Sequence, residues 1–195
     1  DLKPVFTGFF YEIKIKKMND IFLKSVIKQM HYYKGLGENT MAQLSDEQLY
    51  EKLNEENNSI YNIVKHLSGN MLSRWTDFLT TDGEKEWRER DAEFEETRGS
   101  REQLMVLWES GWDCLFGALN SLTDIDLHIK IKIRNEEHTV LEAIHRQLAH
   151  YPYHVGQIVF IGKYFCNTNW KSLSIPKGKS EVFNEIKFRK ENEPK

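Results

Sequence analysis

Hydrophobic positions along most of the chain recur every three or four residues, the spacing of helices that bury one face. Ile21, Leu23, Val26, Ile27, Met30 and Tyr33 follow Asp20, which has the form of an N-cap. They predict a first helix to about Leu36, where GLGENT interrupts or ends it. LSDEQLYEKL predicts a short linking helix, with Ser45 and Gln48 in capping-box spacing. A second long helix starts near Asn58 and carries the stripe Ile60, Val64, Leu67, Met71, Trp75 and Phe78. After the polar connector TTDGEKEWRERDAEFEETRGS, a third helix begins at Ser100 with Gln103 as its capping-box partner. It carries Leu104, Leu107, Trp108, Trp112, Leu115 and Leu119.

The period then changes. Leu127, Ile129, Ile131 and Ile133 alternate with polar residues, a strand pattern that RNEE can fold back into a hairpin. The fourth helix runs from about Val140 to Phe165, and the last thirty residues, with Pro176 and Gly178, read as an irregular tail. Residues 1–17 precede Met18 and read as an N-terminal extension with a short strand in FFYEIKIKK. Pro4 and Gly8 break it too often for the apolar region of a secretory signal. The whole pattern predicts an all-α fold: a four-helix bundle with a short β-hairpin before the last helix and an irregular C-terminal tail.

Composition excludes several classes. With 39% hydrophobic and 29% charged residues in 195, the chain can bury a core and is not of disordered type. A net charge of −3 gives no global field for nucleic acid or an anionic membrane, so neither is an expected partner. No stretch approaches the roughly 18 apolar residues of a spanning helix. Cys114 and Cys166 lie far apart outside any CxxC pattern, which argues against a disulfide framework and for a reducing cytoplasm. Cys114 reads as a small core residue. Trp108 and Trp112, four apart, make one face of the third helix bulky and read as core or interface packing ahead of substrate stacking.

The chemistry concentrates in AHYPYHVGQIVFIGKYF, residues 149–165. His150 and His154 are four apart, about 40° from each other around a helix, with Gln157 and Ile161 on the same face. Two imidazoles at this spacing can reach one ion. Pro152 lies between them, and a kink there would alter how the rings converge. A pair alone fits a metal site and also fits an ordinary core histidine. A third ligand must come from another helix. His66, at the margin of the second helix's apolar stripe with Asn70 nearby, fits that role or that of a boundary histidine in water.

IVKHLSGNMLSRW and HYPYHVGQIVFIGK together resemble the DinB-like superfamily of metal-binding four-helix bundles, which includes the YfiT-type proteins. RDAEFEE, WESGWDCLF, IRNEEHTVLEAIHRQLAHYPYHVGQI and LSIPKGKSEVFN resemble its bacterial branch of unknown function more closely. The resemblance spans about Met18 to Asn184, which sets a bundle domain at 18–184 between the extension at 1–17 and a tail at 185–195. It implies three histidines on one divalent ion, carried over by position to His66, His150 and His154. Pro152 departs from the small residue expected there. The resemblance also implies a homodimer.

Three imidazoles leave coordination positions open, unlike a closed four-ligand structural site. Zinc or nickel suits such ligands best, with iron or manganese also compatible. The resemblance implies a thiol-dependent S-transferase, in which the metal favours the thiolate of a low-molecular-weight thiol and the thiolate attacks a small-molecule electrophile. A metal-dependent hydrolase and a non-catalytic metal-binding or interaction protein remain the alternatives. Asn70, Arg74 and Gln157 are candidate cavity-lining groups. Arg74 either holds a carboxylate of the thiol co-substrate bidentately or pairs with an acidic neighbour at the surface. No carboxylate, serine or cysteine has a spacing that demands the role of general base. GEKEWRERDAEFEE reads as a solvated connector, with a lid over the metal mouth as the alternative.

Overall fold

Reciprocal caps set the start of four helices. The computed structural model describes residues 5–96, 98–123 and 125–191, those at 5–20, 190 and 191 by backbone alone. Ser45, Ser59, Ser100 and Thr139 each accept a bond from the backbone N–H three residues on, and the side chains of Gln48, Asn62, Gln103 and Glu142 accept from the cap's own N–H. These caps open α2 (Asp46–Tyr50), α3 (Ile60–Trp75), α4 (Arg101–Ser121) and α5 (Val140–Cys166). The two remaining helices among the described residues are α1 (Val5–Met41) and α6 (Ser180–Glu191).

Three expectations are corrected here. FFYEIKIKK is helical, because α1 starts at Val5 and runs through it. The helix also continues through GLGENT. Gly37 is not a breaker: a Cβ there would lie 2.5 Å from the Trp108 ring, so glycine is what lets α1 lie on that indole. Thr40 and Met41 beyond it are buried, and Arg101 donates to the carbonyls of Met41 and Leu44, satisfying the helix end. The region expected as an irregular tail contains α6, whose described residues are exposed. The first four residues of the expected extension and the last four of the tail lie outside the described residues.

The predicted stripes form the core. Ile60, Val64, Leu67, Met71 and Trp75 on α3 are buried, as are Leu104, Trp108, Trp112, Leu115 and Leu119 on α4. The two tryptophans are thus core residues. Helix α3 packs against α4 and α5, and α1 packs against α5 and α4. Two glycines fix the close crossings. A Cβ on Gly111 would lie 2.9 Å from the Ser68 Cα, and one on Gly162 would lie 2.3 Å from the Thr40 methyl. Both cysteines are free thiols. No helix of the described residues is long and apolar enough to cross a membrane.

The hairpin pairs β1 (Lys130–Ile133) with β2 (Glu136–Thr139), Ile133 opposite Glu136. Arg134 and Asn135 both have positive φ, at 54° and 63°, the conformation of a two-residue type I′ turn. One side chain grips that turn. The Asp82 carboxylate accepts from the backbone N–H groups of Arg134 and Asn135, each at 2.8 Å, and from that of Glu84 at 2.7 Å. Gly83 N–H donates to Lys132 O at 2.8 Å, and Ser73 on α3 donates to Gly83 O. The start of the connector is therefore stitched between the end of α3 and the hairpin.

Candidate metal centre

Helix α3 contributes His66, which is 5% exposed, and α5 contributes the half-buried His150 and His154. The His150 and His154 Nε2 atoms lie 3.1 Å apart, and those of His66 and His150 lie 3.4 Å apart. All three ligand atoms fall within 4.8 Å of one another. Nitrogens about 2.0–2.1 Å from one tetrahedral ion are about 3.3 Å apart, so the spacing fits a single ion. The structure brings together the three histidines singled out in the sequence. Pro152 does not interrupt α5, which runs continuously past both rings.

The opposite nitrogen of each ring faces an oxygen. His66 Nδ1 is 2.9 Å from Glu93 Oε2, His150 Nδ1 is 3.2 Å from Gln147 Oε1, and His154 Nδ1 is 3.0 Å from Gln157 Oε1. A carboxylate and two amide oxygens accept, so each Nδ1 donates to its partner, and the Nε2 of each ring in its neutral form is left to face the others. Neutral rings so arranged point lone pairs at one another, and a cation between them turns that repulsion into attraction. Burial, with the neighbouring His154 and His66, lowers the His150 pKa to about 3. Burial likewise lowers that of His154, against the bond to Gln157. Neutral imidazole, the ligand form, is thus favoured at both.

Glu93 is the residue that sequence reasoning missed. It lies in a short helical turn, Asp91–Glu93, in the connector expected to be solvated, yet it is buried. Asn62 on α3 donates to the carbonyls of Glu93 and Glu95, and Lys65 donates to that of Ala92, docking the segment on the helix. Arg88 forks onto Glu93, Nε to Oε1 at 2.8 Å and Nη2 to Oε2 at 2.9 Å. Burial pushes the Glu93 carboxyl upward, but the bonds from His66 and Arg88 outweigh it and hold its pKa below the usual value. A Cβ on Gly69 would lie 2.2 Å from Glu93 Oε1, so glycine there leaves the carboxylate its place. Phe94 covers the His66 ring, centroids 5.2 Å apart. The sequence signal for Glu93 was weak, an acid and an aromatic adjacent in a charged run. Gln147, three residues before His150, repeats in reverse the His154–Gln157 spacing and could have been found from it.

The three histidines line a cavity of about 400 Å³ together with Asn70, Arg74 and Gln157, the other residues predicted for it. Tyr151, buried behind the site, donates to Asn70 Oδ1 at 3.1 Å and accepts from Trp75 Nε1 at 3.0 Å. The expected surface pairing of Arg74 is overturned: the residue is 4% exposed, and its Nε and Nη1 have no hydrogen-bond partner among the described residues. A second cleft of about 360 Å³, lined in part by Leu53, Ile63, Phe160 and Ile161, meets the first at Asn58, Tyr153 and Gln157.

A family model described as a protein of unknown function, DUF1572, matches residues 17–179. The chain belongs to the DUF1572 family. The DUF1572 match takes in all three histidines and Glu93, begins one residue before Met18, and ends just short of α6. No curated protein and no solved structure matches the chain significantly.

Proposed function

We propose that the chain is a metal-dependent enzyme of the DinB-like superfamily, its four long helices forming that superfamily's bundle, and that it transfers a low-molecular-weight thiol to a small electrophile. The observation that carries the reading is the convergence of three bare Nε2 atoms at the wall of an accessible cavity, each ring fixed from behind by an acceptor. When bound, a divalent ion such as zinc or nickel supplies Lewis acidity that favours the deprotonated form of a thiol or of water at neutral pH. His66, His150 and His154 hold the ion, and Glu93 keeps the most buried ring aligned. Asn70, oriented by Tyr151, and Gln157 border the space in which a thiol would lie. Both Glu93 oxygens are engaged, and among the described residues no carboxylate lines the cavity, so the nucleophile gains its reactivity without a free side-chain base. The adjoining apolar cleft favours transfer over hydrolysis, because it offers the second substrate a place beside the first.

Elemental analysis of untagged protein purified without chelator tests the ligand set. About one divalent ion per chain is expected, lost in His66→Ala and His150→Ala. Turnover of a chloronitrobenzene electrophile by the loaded protein, with and without added cysteine or glutathione, tests the reaction. Turnover only with thiol supports transfer, and hydrolysis of an ester without thiol would replace it.

A further inference from the structure

The cavity beside the histidines is lined by five arginines, Arg74, Arg88, Arg90, Arg134 and Arg146, and among the described residues by no acid. The chain as a whole carries a net charge of −3, so this positive charge is a local construction. Arg88 is committed to Glu93, and Arg134 is paired with Glu84 at 3.2 Å. Arg90 lies over the Phe94 ring, and Arg146 is exposed one turn before His150.

Arg74 differs from these four. It is buried, it lines the cavity, and two of its nitrogens lack partners among the described residues. The acids nearest to it in charge are already engaged, Asp82 by three backbone N–H groups and Glu84 by Arg134 and Arg88. Guanidinium does not shed its proton in proteins, and a buried one without partners is unfavourable until an anion joins it. The side chain is also held in place: a Cβ on Gly83 would lie 2.7 Å from its Nη1, so the connector packs closely against it. Along α3, His66, Asn70 and Arg74 recur every four residues, which sets Arg74 about 12 Å along the axis from His66.

We infer that Arg74 is the anchor for an anionic group, a carboxylate or a phosphate, on the small molecule whose other end reaches the three histidines. The inference rests on reading this cavity as a substrate site and adds the class of substrate: an elongated acid with its charge about two helical turns from the reacting end. Arg146 and Arg134 stand around the same cavity and supply attraction rather than the fork.

Calorimetric titration with succinate and with inorganic phosphate, at matched ionic strength, tests it on chelator-treated and on zinc-loaded protein. The native chain is expected to bind at least one probe in both forms, with Arg74→Gln weaker by roughly ten- to a hundredfold and Arg74→Lys in between. Preference for succinate identifies a carboxylate substrate, and preference for phosphate a phosphorylated one. A saturating probe should also raise the melting temperature of the native chain and leave that of Arg74→Gln unmoved. Equal affinities in native and Arg74→Gln, or no binding of either probe at about millimolar concentration, overturn the inference. Zinc content is read on the same samples. Anion binding without zinc uptake removes the metal reading and leaves Arg74 its role, and zinc uptake without anion binding does the reverse.

Discussion

Glu93 and His66, 27 residues apart in sequence, share a hydrogen bond of 2.9 Å inside the protein. Through it, the connector between α3 and α4 controls the orientation of a ring on α3. Replacing the carboxylate by an amide keeps the shape and removes the charge. Glu93→Gln is expected to weaken zinc binding by about ten- to a hundredfold in a chelator competition assay. It should also destabilise the fold by about 3 kcal/mol in denaturant titration, because the Arg88 side chain is 2% exposed and loses the nearer of its two charged partners, Glu84 being left at 3.6 Å.

Gly69→Ala separates the site from the helix. Alanine favours a helix interior by about 1 kcal/mol over glycine, but here its methyl group would collide with Glu93 Oε1. Zinc affinity should fall while α3 itself remains formed. Gly35→Ala on α1, where a Cβ meets nothing within 4 Å, is the control and should leave affinity unchanged. Circular dichroism and chelator competition on both variants give the comparison.

Acid should destabilise the metal-free protein. His150, with its pKa lowered to about 3 from 6.5, and His154, also lowered, stay neutral in the folded state while the unfolded chain takes up protons. The unfolded state then binds more protons, so stability is full above about pH 6.5 and is lost as pH falls toward about 3. Melting temperatures across this range are expected to decline on acidification, less steeply in His150→Gln.

Pro152 carries no N–H to bond the Leu148 carbonyl, yet α5 is continuous and the rings on either side are held by Gln147 and Gln157. Pro152→Ala is therefore expected to stabilise the fold by about 1–3 kcal/mol with zinc affinity changed less than about threefold. A loss above about tenfold would show instead that the proline sets how the rings converge.

The helices were legible where burial is periodic. The stripe from Ile60 to Trp75 and the Ser45 and Ser100 caps are local patterns, and the structure keeps them. The pairing of His150 with His154 was legible for the same reason, as a spacing within one helix. Glu93 was not, because its burial comes from Asn62, Lys65, His66 and Arg88, each a partner that no periodicity announces. The course of α1 through GLGENT was misread because glycine weakens a helix in isolation, whereas here its bareness admits the Trp108 ring. For Arg74 the sequence left a cavity role and a surface pairing open, because its burial depends on Gly83 and the hairpin, distant in sequence.

The four capping boxes have a consequence for selectivity. A helix N-terminus is a common way to hold an anion with backbone amides, which any side-chain substitution leaves intact. In α2, α3, α4 and α5 one of those amides, three residues past the cap, is already taken by the chain's own serine or threonine, and a glutamine, asparagine or glutamate covers the cap's own N–H. In the proposed site, charge is read by a side chain, Arg74, rather than by a helix end. Side chains change by single codons, so the sign of the ligand such a site prefers can be reset without rebuilding the backbone.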